Sequence, residues 1–160
     1  MSHTAGRRCV FIDRDGVINE KPAPHEYVRS WSEFRFLPNI ADWIRLFNAL
    51  GFLVIVVTNQ RGIARGIMTQ DSVEEIHRNM IRDLAAQGAR IDDLFLCPHE
   101  ANTCECRKPK PGMVREAETK WGIDRAGSLM IGDSDDDAAL AAACGLRFVR
   151  VAEGRIVSVS

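Results

Sequence analysis

The chain has 160 residues, enough for one domain with a sizeable hydrophobic core. It is 46% hydrophobic and 27% charged, as globular proteins usually are, and its formal net charge of -1 excludes a generally basic surface for nucleic acid. Because its apolar runs, such as residues 52–57, are far shorter than the roughly 20 residues of a membrane span, we expect a cytoplasmic protein of one domain, residues 1–160, that binds neither membranes nor nucleic acid.

Short runs rich in β-branched and aromatic residues alternate with helical patterns along the chain. The predicted strands are residues 9–12, 52–57, 94–97, 129–131 and 147–151. The predicted helices are residues 38–50, 69–87, 112–121 and 135–144, and a glycine follows each of them. This order predicts an α/β fold, a Rossmann-like three-layer sandwich with a mostly parallel sheet between two layers of helices.

Polar side chains follow three of the predicted strands. Asp13 and Asp15 come directly after the first strand, Thr58 and Asn59 after the second, and Asp133 after the fourth. In parallel sheets, ligands bind at the carboxyl ends of the strands, so we expect these side chains at one site. The alternative is structural: the first two aspartates form a turn, and the acidic residues after Asp133 begin a helix.

These aspartates are suited to share a metal ion. Residues two apart in extended backbone point to the same side, so Asp13 and Asp15 can converge on one point. Adjacent carboxylates repel each other unless a cation compensates their charge. Together with Asp133, they supply oxygen ligands of the kind that Mg²⁺ prefers. The loop VVTNQRGIARG, residues 56–66, adds a hydroxyl, amides and a glycine turn whose N–H groups suit a phosphate.

Four segments resemble the motifs of a known family. In chain order, they are FIDRDGVIN, VVTNQRGIARG, CRKPKPGM and MIGDSDDD, and the resemblance covers residues 9–149. They are similar to the four motifs of haloacid dehalogenase superfamily phosphatases, and most closely to those of the D-glycero-D-manno-heptose 1,7-bisphosphate phosphatases. The resemblance implies a magnesium-dependent phosphatase that removes the C7 phosphate of this heptose bisphosphate through an aspartyl-phosphate intermediate.

The same resemblance implies roles for individual residues. Asp13 is then the nucleophile that takes the phosphoryl group, and Asp15 is the acid that protonates the leaving sugar oxygen and afterwards activates water. Thr58 and Lys108 hold the phosphoryl oxygens. The magnesium ligands are the side chains of Asp13 and Asp133 and the main-chain carbonyl of Asp15.

A sugar bisphosphate requires a second cationic site for the phosphate that does not react. Arg107, Arg61 and Arg65 are available for this role. We expect the residues that contact the substrate to be Asn59, Gln60, Arg61 and Arg107. The expected partner is thus a small phosphorylated molecule, and we expect the protein to act on it as a monomer.

Three further expectations concern residues around the site. Residues 19–36 are too few for a separate cap domain and are expected to form a loop over the site, as a minimal cap. Asp137, one helical turn after Asp133, is expected to support the magnesium ligands. His77 is expected to be solvated and to have no part in the reaction.

A cysteine-rich segment, CPHEANTCEC, contains four potential metal ligands. Cys97, His99, Cys104 and Cys106 have the donors of a tetrahedral Cys₃His zinc site, and four protein ligands leave no open position, so the zinc is predicted to be structural. Free surface thiols and a disulfide are the alternatives. The same Cys-x-His and Cys-x-Cys pairs occur in heptose bisphosphate and histidinol phosphatases. Because the predicted phosphate-binding lysine follows directly, we expect zinc to act on catalysis through position alone.

Three other functions compete with the heptose interpretation. Only four residues separate His99 from Cys104, fewer than the heptose family generally has, and this favours a histidinol-phosphate phosphatase. A polynucleotide 3′-phosphatase shares the TNQ and KP motifs, but the net charge of -1 opposes it. A zinc-stabilised binding module without catalysis is opposed by the intact carboxylates and lysine.

Overall fold

The computed structural model describes residues 5–160. In this part of the chain six strands form one sheet: β1 Cys9–Ile12, β2 Leu53–Asn59, β3 Asp93–Cys97, β4 Leu129–Gly132, β5 Arg147–Ala152 and β6 Arg155–Val159. Their spatial order is β3-β2-β1-β4-β5-β6, in which β1 to β5 are parallel and β6 runs antiparallel to β5. The α-helices are α1 Ile40–Ala49, α2 Gln70–Ala86, α3 Gly112–Trp121 and α4 Asp135–Cys144. None of these helices has the length and hydropathy needed to cross a bilayer.

The helices cover both faces of the sheet. Alternate residues of β1 point to opposite faces, so Val10 and Ile12 pack with α1 and α2, whereas Cys9 and Phe11 pack with α3 and α4. All four of these side chains are fully buried, as expected for a parallel strand with helices on both sides. The predicted Rossmann-like three-layer sandwich with a mostly parallel sheet is therefore confirmed.

Most elements differ from their predicted ranges by one or two residues, and the main differences are at β2 and β6. β2 includes Thr58 and Asn59, which the sequence pattern places after the strand, because both residues still pair with β3. β6 is absent from the prediction. It follows a tight turn in which Glu153 and Gly154 have φ angles of 50° and 77°. All five of its residues are exposed, so no alternation of apolar and polar side chains indicates the strand in the sequence.

Residues 19–36 form a loop between β1 and α1, as expected of a minimal cap. An antiparallel bridge between Asn19 and Phe36 holds the two ends of the loop together. Near its end, the rings of Trp31, Phe34 and Phe36 pack on one another with centroid distances of 4.9 to 6.1 Å and contact the core beneath α1 and α2. The loop is thus anchored at this end, while its first half lines a cavity at the carboxyl edge of the sheet.

Candidate active site

The predicted catalytic side chains meet at the carboxyl edge of the sheet. Asp13 follows β1 and Asp133 follows β4, and these strands are neighbours. Thr58 is near the end of β2, the other neighbour of β1. Lys108 reaches the same place from the loop before α3. A cavity of about 280 Å³ opens here, and its lining includes Asp13, Asp15, Lys21, Asn59, Gln60, Arg61, Arg107, Lys108 and Asp133.

Lys108 is buried between two carboxylates. Its Nζ donates to Asp13 Oδ1 at 2.7 Å and to Asp137 Oδ1 at 2.8 Å. Asn59 fixes its main chain, since Asn59 Oδ1 accepts from the Lys108 N–H at 3.0 Å and Asn59 Nδ2 donates to the Lys108 carbonyl at 3.2 Å. Burial lowers the pKa of Lys108, but the two carboxylates raise it by more, so its pKa is above the usual range and the side chain is a cation.

Three carboxylates at the site fit a divalent cation. Asp13, Asp133 and Asp137 each offer an oxygen, and these atoms lie within 4.8 Å of one another. Asp133 Oδ1 is buried and has no hydrogen-bond partner among residues 5–160. Burial raises the pKa of Asp13 well above its usual range; Lys108 opposes this effect, and the two neighbouring carboxylates add to it. A hard cation would relieve this repulsion and occupy the unpaired oxygen, so the donor set suits Mg²⁺.

Asp137 belongs to this group, although the sequence indicates only a supporting position for it. Ser134 caps α4 by accepting a hydrogen bond from the Asp137 N–H at 3.2 Å, and Asp137 Oδ2 accepts from the Asp133 N–H at 3.2 Å. Gly132 makes room for it, because a Cβ there would lie 2.4 Å from Asp137 Cβ. The cap and the glycine thus place the Asp137 carboxylate beside Lys108.

Asp15 is held apart from the three clustered carboxylates. Its Oδ1 accepts from Arg14 Nε at 3.1 Å, Arg14 Nη2 at 2.8 Å and Asn19 Nδ2 at 2.9 Å, and its Oδ2 accepts from Gln60 Nε2 at 2.9 Å. Burial raises the pKa of Asp15, but Arg14 and the hydrogen bonds lower it by more. Gln60 also donates to Thr58 Oγ1 at 2.9 Å. Both oxygens of the Asp15 carboxylate thus already have hydrogen-bond partners. The predicted magnesium ligand of this residue therefore stays its main-chain carbonyl.

The residues predicted to contact the substrate differ in whether their polar groups already have partners within the protein. The amide of Asn59 bonds to the main chain of Lys108, and that of Gln60 bonds within the site, so their contact with substrate stays a prediction. Arg107 Nη1 is buried and lacks a hydrogen-bond partner in the described part of the chain. Arg61 Nε lies 3.5 Å from a carboxylate oxygen of Glu100 and lines the cavity. Arg107 is therefore the better candidate for a second phosphate, and Arg61 is the second, because it lines the cavity and its pairing with Glu100 is longer than that of Arg65.

Two residues near the site were not predicted to take part. Lys21, on the cap loop, donates from Nζ to Asp133 Oδ2 at 2.7 Å. His77 is only 5% exposed, so the expectation that it is solvated is wrong. It follows the buried positions Val73 and Ile76 at helical spacing, and this periodicity is the signal that places it on the inner face of α2. No comparable pattern indicates Lys21, which lies in an irregular loop.

The four residues of the cysteine-rich loop form a compact cluster. The metal-binding atoms of Cys97, His99, Cys104 and Cys106 lie within 4.8 Å of one another. The sulfur–sulfur distances of 2.8, 3.5 and 3.6 Å exceed the roughly 2.05 Å of a disulfide. Burial raises the pKa of Cys104, but the Arg107 N–H and the neighbouring thiols lower it by more, to about 7. Three thiols and an imidazole in this arrangement fit a tetrahedral zinc ion.

We expect Cys106→Ser to remove bound zinc and to lower both stability and turnover. Cys106 Sγ lies within 3.5 Å of both other thiols and 3.2 Å from His99 Nδ1, so its loss leaves an incomplete site. Bound zinc should fall from one ion per chain to nearly none, the melting temperature should fall, and kcat should fall at least about tenfold. The matched control is Cys144→Ala, which removes a buried thiol outside the cluster. Zinc content by elemental analysis that is equal in the two variants would contradict the assignment.

We expect Gly16→Ala to displace Asp133. Gly16 has a φ of 89°, and a Cβ there would lie 2.2 Å from Asp133 Oδ2. Turnover should fall by about 10- to 100-fold because a ligand of the expected metal moves. Gly51→Ala is the control, since Gly51 has a φ of 81° and no described atom lies within 4 Å of its added Cβ. Both variants should lose about 1–2 kcal/mol of stability, but only Gly16→Ala should lose activity; equal turnover would count against this steric explanation.

Comparisons with known proteins point to one enzyme class. The family model described as HAD-hydrolase-like matches residues 105–156. A Rhodopseudomonas palustris protein named D-glycero-beta-D-manno-heptose-1,7-bisphosphate 7-phosphatase is 42% identical over 168 aligned positions, which cover 99% of this chain and 91% of that protein. A Mycobacterium tuberculosis protein named as the 7-phosphatase of the corresponding alpha anomer is 39% identical over 139 positions, which cover 83% of this chain and 70% of that protein.

Solved structures give the same result. The crystal structure of D,D-heptose 1,7-bisphosphate phosphatase from B. bronchiseptica, complexed with magnesium and phosphate, matches with a TM-score of 0.84 and 36% identity. The match covers 92% of this chain and 83% of that chain. The similarity thus extends over nearly the whole chain in both sequence and fold.

Proposed function

Because this chain belongs to the heptose bisphosphate phosphatase family of the haloacid dehalogenase superfamily, we propose that it removes the C7 phosphate of D-glycero-D-manno-heptose 1,7-bisphosphate. The chain is a phosphatase, as are its relatives with high coverage. The proposed substrate rests on the names of those relatives, which include both anomers at 42% and 39% identity. The preferred anomer is therefore to be determined by comparing kcat/KM for the two anomers.

One arrangement carries the proposal: a nucleophilic carboxylate and two groups of cations share one cavity. Lys108 Nζ lies 2.7 Å from Asp13 Oδ1 at one side. Arg107 and Arg61 line the same cavity, and the buried Nη1 of Arg107 has no hydrogen-bond partner within residues 5–160. A sugar bisphosphate needs one cationic site for the reacting phosphate and another for the distal phosphate, and these two groups of cations support that assignment.

In the proposed first step, a carboxylate oxygen of Asp13 attacks the phosphorus of the C7 phosphate, and the bond from phosphorus to the sugar oxygen breaks. Asp15 gives its proton to that oxygen, so the sugar leaves as an alcohol. A phosphate dianion beside Asp15 opposes the effect of Arg14 and favours the protonated acid. Thr58 Oγ1 and Lys108 Nζ hold the phosphoryl oxygens, and their charge and hydrogen bonds stabilise the transition state.

In the second step, a water molecule attacks the phosphorus of the aspartyl phosphate. Asp15 accepts a proton from this water, inorganic phosphate leaves, and the Asp13 carboxylate is restored. Mg²⁺, held by Asp13, Asp133 and the main-chain carbonyl of Asp15 with Asp137 beside them, would supply positive charge against the phosphoryl oxygens. The zinc ion would fix the loop that carries Arg107 and Lys108.

We further propose that residues 1–160 act as one domain, as a monomer and in the cytoplasm. All five cysteines, which lie in the described part of the chain, have free thiols, and a reducing compartment preserves them for zinc. Sedimentation at working concentration checks the monomer directly.

Phosphate release from a panel of substrates tests the proposal. The panel contains both heptose 1,7-bisphosphate anomers, fructose 1,6-bisphosphate, histidinol phosphate and a 3′-phosphorylated oligonucleotide, each with magnesium. Phosphorus NMR of the product identifies which phosphate has left. We expect the highest kcat/KM for one heptose anomer, with loss of the C7 phosphate alone. A higher value for histidinol phosphate would mean that the short zinc loop is the better guide to substrate.

Arg107→Gln tests the site for the distal phosphate. We expect KM for the heptose bisphosphate to rise at least about tenfold, because a charge-assisted contact to the C1 phosphate is lost, whereas KM for heptose 7-phosphate should stay nearly unchanged. Arg65→Gln is the matched control, since Arg65 is already paired with Glu100 at 3.0 and 3.1 Å. An equal rise of KM for both substrates would contradict the assignment.

A further inference from the structure

A buried histidine on α2 is linked to the candidate active site by an arginine. His77 Nε2 lies 3.0 Å from Arg14 Nη1, and Arg14 is fully buried. The same guanidinium donates from Nε and Nη2 to Asp15 Oδ1, at 3.1 and 2.8 Å. Arg14 has no acceptor nitrogen, so the imidazole must be the acceptor of the hydrogen bond. The three side chains therefore form a continuous series of hydrogen bonds from α2 to the cavity.

We propose that His77 is a positioning residue, whose unprotonated Nε2 fixes the Arg14 guanidinium so that it holds the Asp15 carboxylate where the leaving oxygen is protonated. The inference rests on the proposed role of Asp15 as the general acid. A guanidinium is planar, so an acceptor at Nη1 determines the direction in which its other N–H groups point.

The surroundings of His77 favour a neutral acceptor. Burial lowers the pKa of His77, the positive charge of Arg14 lowers it further, and Asp15 opposes them only in part, which leaves a pKa of about 3. An imidazolium could not accept from Arg14 and would place a second positive charge beside a buried guanidinium. The imidazole therefore keeps its acceptor nitrogen over the whole range in which the enzyme is expected to work.

Simple packing does not require a histidine at this position. The neighbours of His77 on the inner face of α2 are apolar and fully buried, namely Val73, Ile76, Met80 and Leu84. A leucine would continue this face. A buried polar side chain among them needs a partner, and the partner that His77 has is the arginine that holds Asp15.

The test compares His77→Leu with His77→Gln on two kinds of substrate. Both replacements are good helix formers, but only glutamine offers an acceptor near the position of Nε2. The substrates are the heptose bisphosphate, whose leaving alkoxide needs a proton, and p-nitrophenyl phosphate, whose leaving group does not. The measured quantity is kcat/KM, which reports phosphoryl transfer to Asp13 and not the later hydrolysis.

For His77→Leu, we expect kcat/KM to fall by about 10- to 100-fold on the sugar phosphate and by less than about threefold on the aryl phosphate. His77→Gln should stay within about threefold of the unchanged protein on both substrates. Met80→Leu changes a buried position one turn along α2, and its kcat/KM should also stay within about threefold of the unchanged protein on both substrates. An equal fall on both substrates for His77→Leu, or a glutamine variant as impaired as the leucine variant, would overturn the proposal.

A second measurement does not depend on folding of the variants or on the identity of the substrate. In the unchanged protein, nitrogen NMR should give His77 Nε2 the shift of an unprotonated imidazole nitrogen, with the proton on Nδ1. A protonated Nε2 would overturn the proposal. If the heptose bisphosphate is not turned over by the unchanged protein, the proposed function has failed, and the comparison is then made with the best alkyl phosphate of the panel.

Discussion

Asp13→Asn should reduce phosphate release by at least about 10⁴-fold on every substrate that the protein accepts. An amide is not a nucleophile toward phosphorus, and Asp13 is the carboxylate that follows β1 directly and accepts from Lys108 Nζ at 2.7 Å. The variant should still fold, because asparagine has nearly the same shape and its side-chain oxygen can accept from Lys108 Nζ. The expected outcome is thus a folded protein that binds substrate without turning it over.

Phosphate release and thermal unfolding, measured together, check this expectation. Asp135→Asn is the matched control, since Asp135 lies at the start of α4, near the site, but its side chain is fully exposed and paired only with Arg150 in the described chain. The control should retain turnover within about twofold, because screened surface charges have small effects. If Asp13→Asn retained more than a few per cent of the activity, the nucleophile would have to be another residue.

Lys108→Met should lower both turnover and stability. Lys108 Nζ contacts Asp13 and Asp137 within 2.8 Å and is 4% exposed, so its removal leaves two buried carboxylates without their cation. Breaking such a buried pair costs about 3–5 kcal/mol. Loss of a cation that faces the transferring phosphoryl group should lower kcat by about 10²- to 10³-fold. We expect added magnesium to restore part of the stability, because its positive charge compensates the negative charge of the same carboxylates.

Denaturant unfolding and steady-state kinetics, each with and without magnesium, measure these effects. Lys120→Met removes a lysine that is 59% exposed and paired with Asp93 at the surface, so it should change stability by less than about 1 kcal/mol and leave turnover unchanged. A Lys108→Met protein with ordinary kcat would show that the phosphoryl oxygens are held by other groups.

The fold followed from the sequence where burial imposes a pattern. β1 and β2 are covered on both faces, and their apolar runs predict them closely. No pattern in the sequence predicts β6, because all its residues are exposed and the turn at Glu153 and Gly154 lacks the usual Asn-Gly or Asp-Gly signal. Helix ends marked by glycine, such as Gly122 and Gly145, were placed correctly, since both adopt the left-handed conformation that glycine permits.

The site was predictable only for residues at the ends of strands or in recognisable motifs. Asp13 and Asp133 follow neighbouring strands, so the sheet topology brings them together. The contact between Asn59 and the main chain of Lys108 joins segments 49 residues apart, and no local pattern encodes it. The contact of His77 with Arg14 spans 63 residues and depends on how α2 packs on the sheet. Such partners are determined by tertiary packing, which periodicity alone does not specify.

Trapping the covalent intermediate tests the central claim most directly. The protein is quenched in acid during turnover and treated with borohydride, which reduces an aspartyl phosphate to homoserine, and peptide mass spectrometry then locates the modified residue. We predict homoserine at position 13, formed only in the presence of substrate and absent from the Asp13→Asn variant. Homoserine at another aspartate, or rapid phosphate release without any reducible intermediate, would contradict the proposed mechanism.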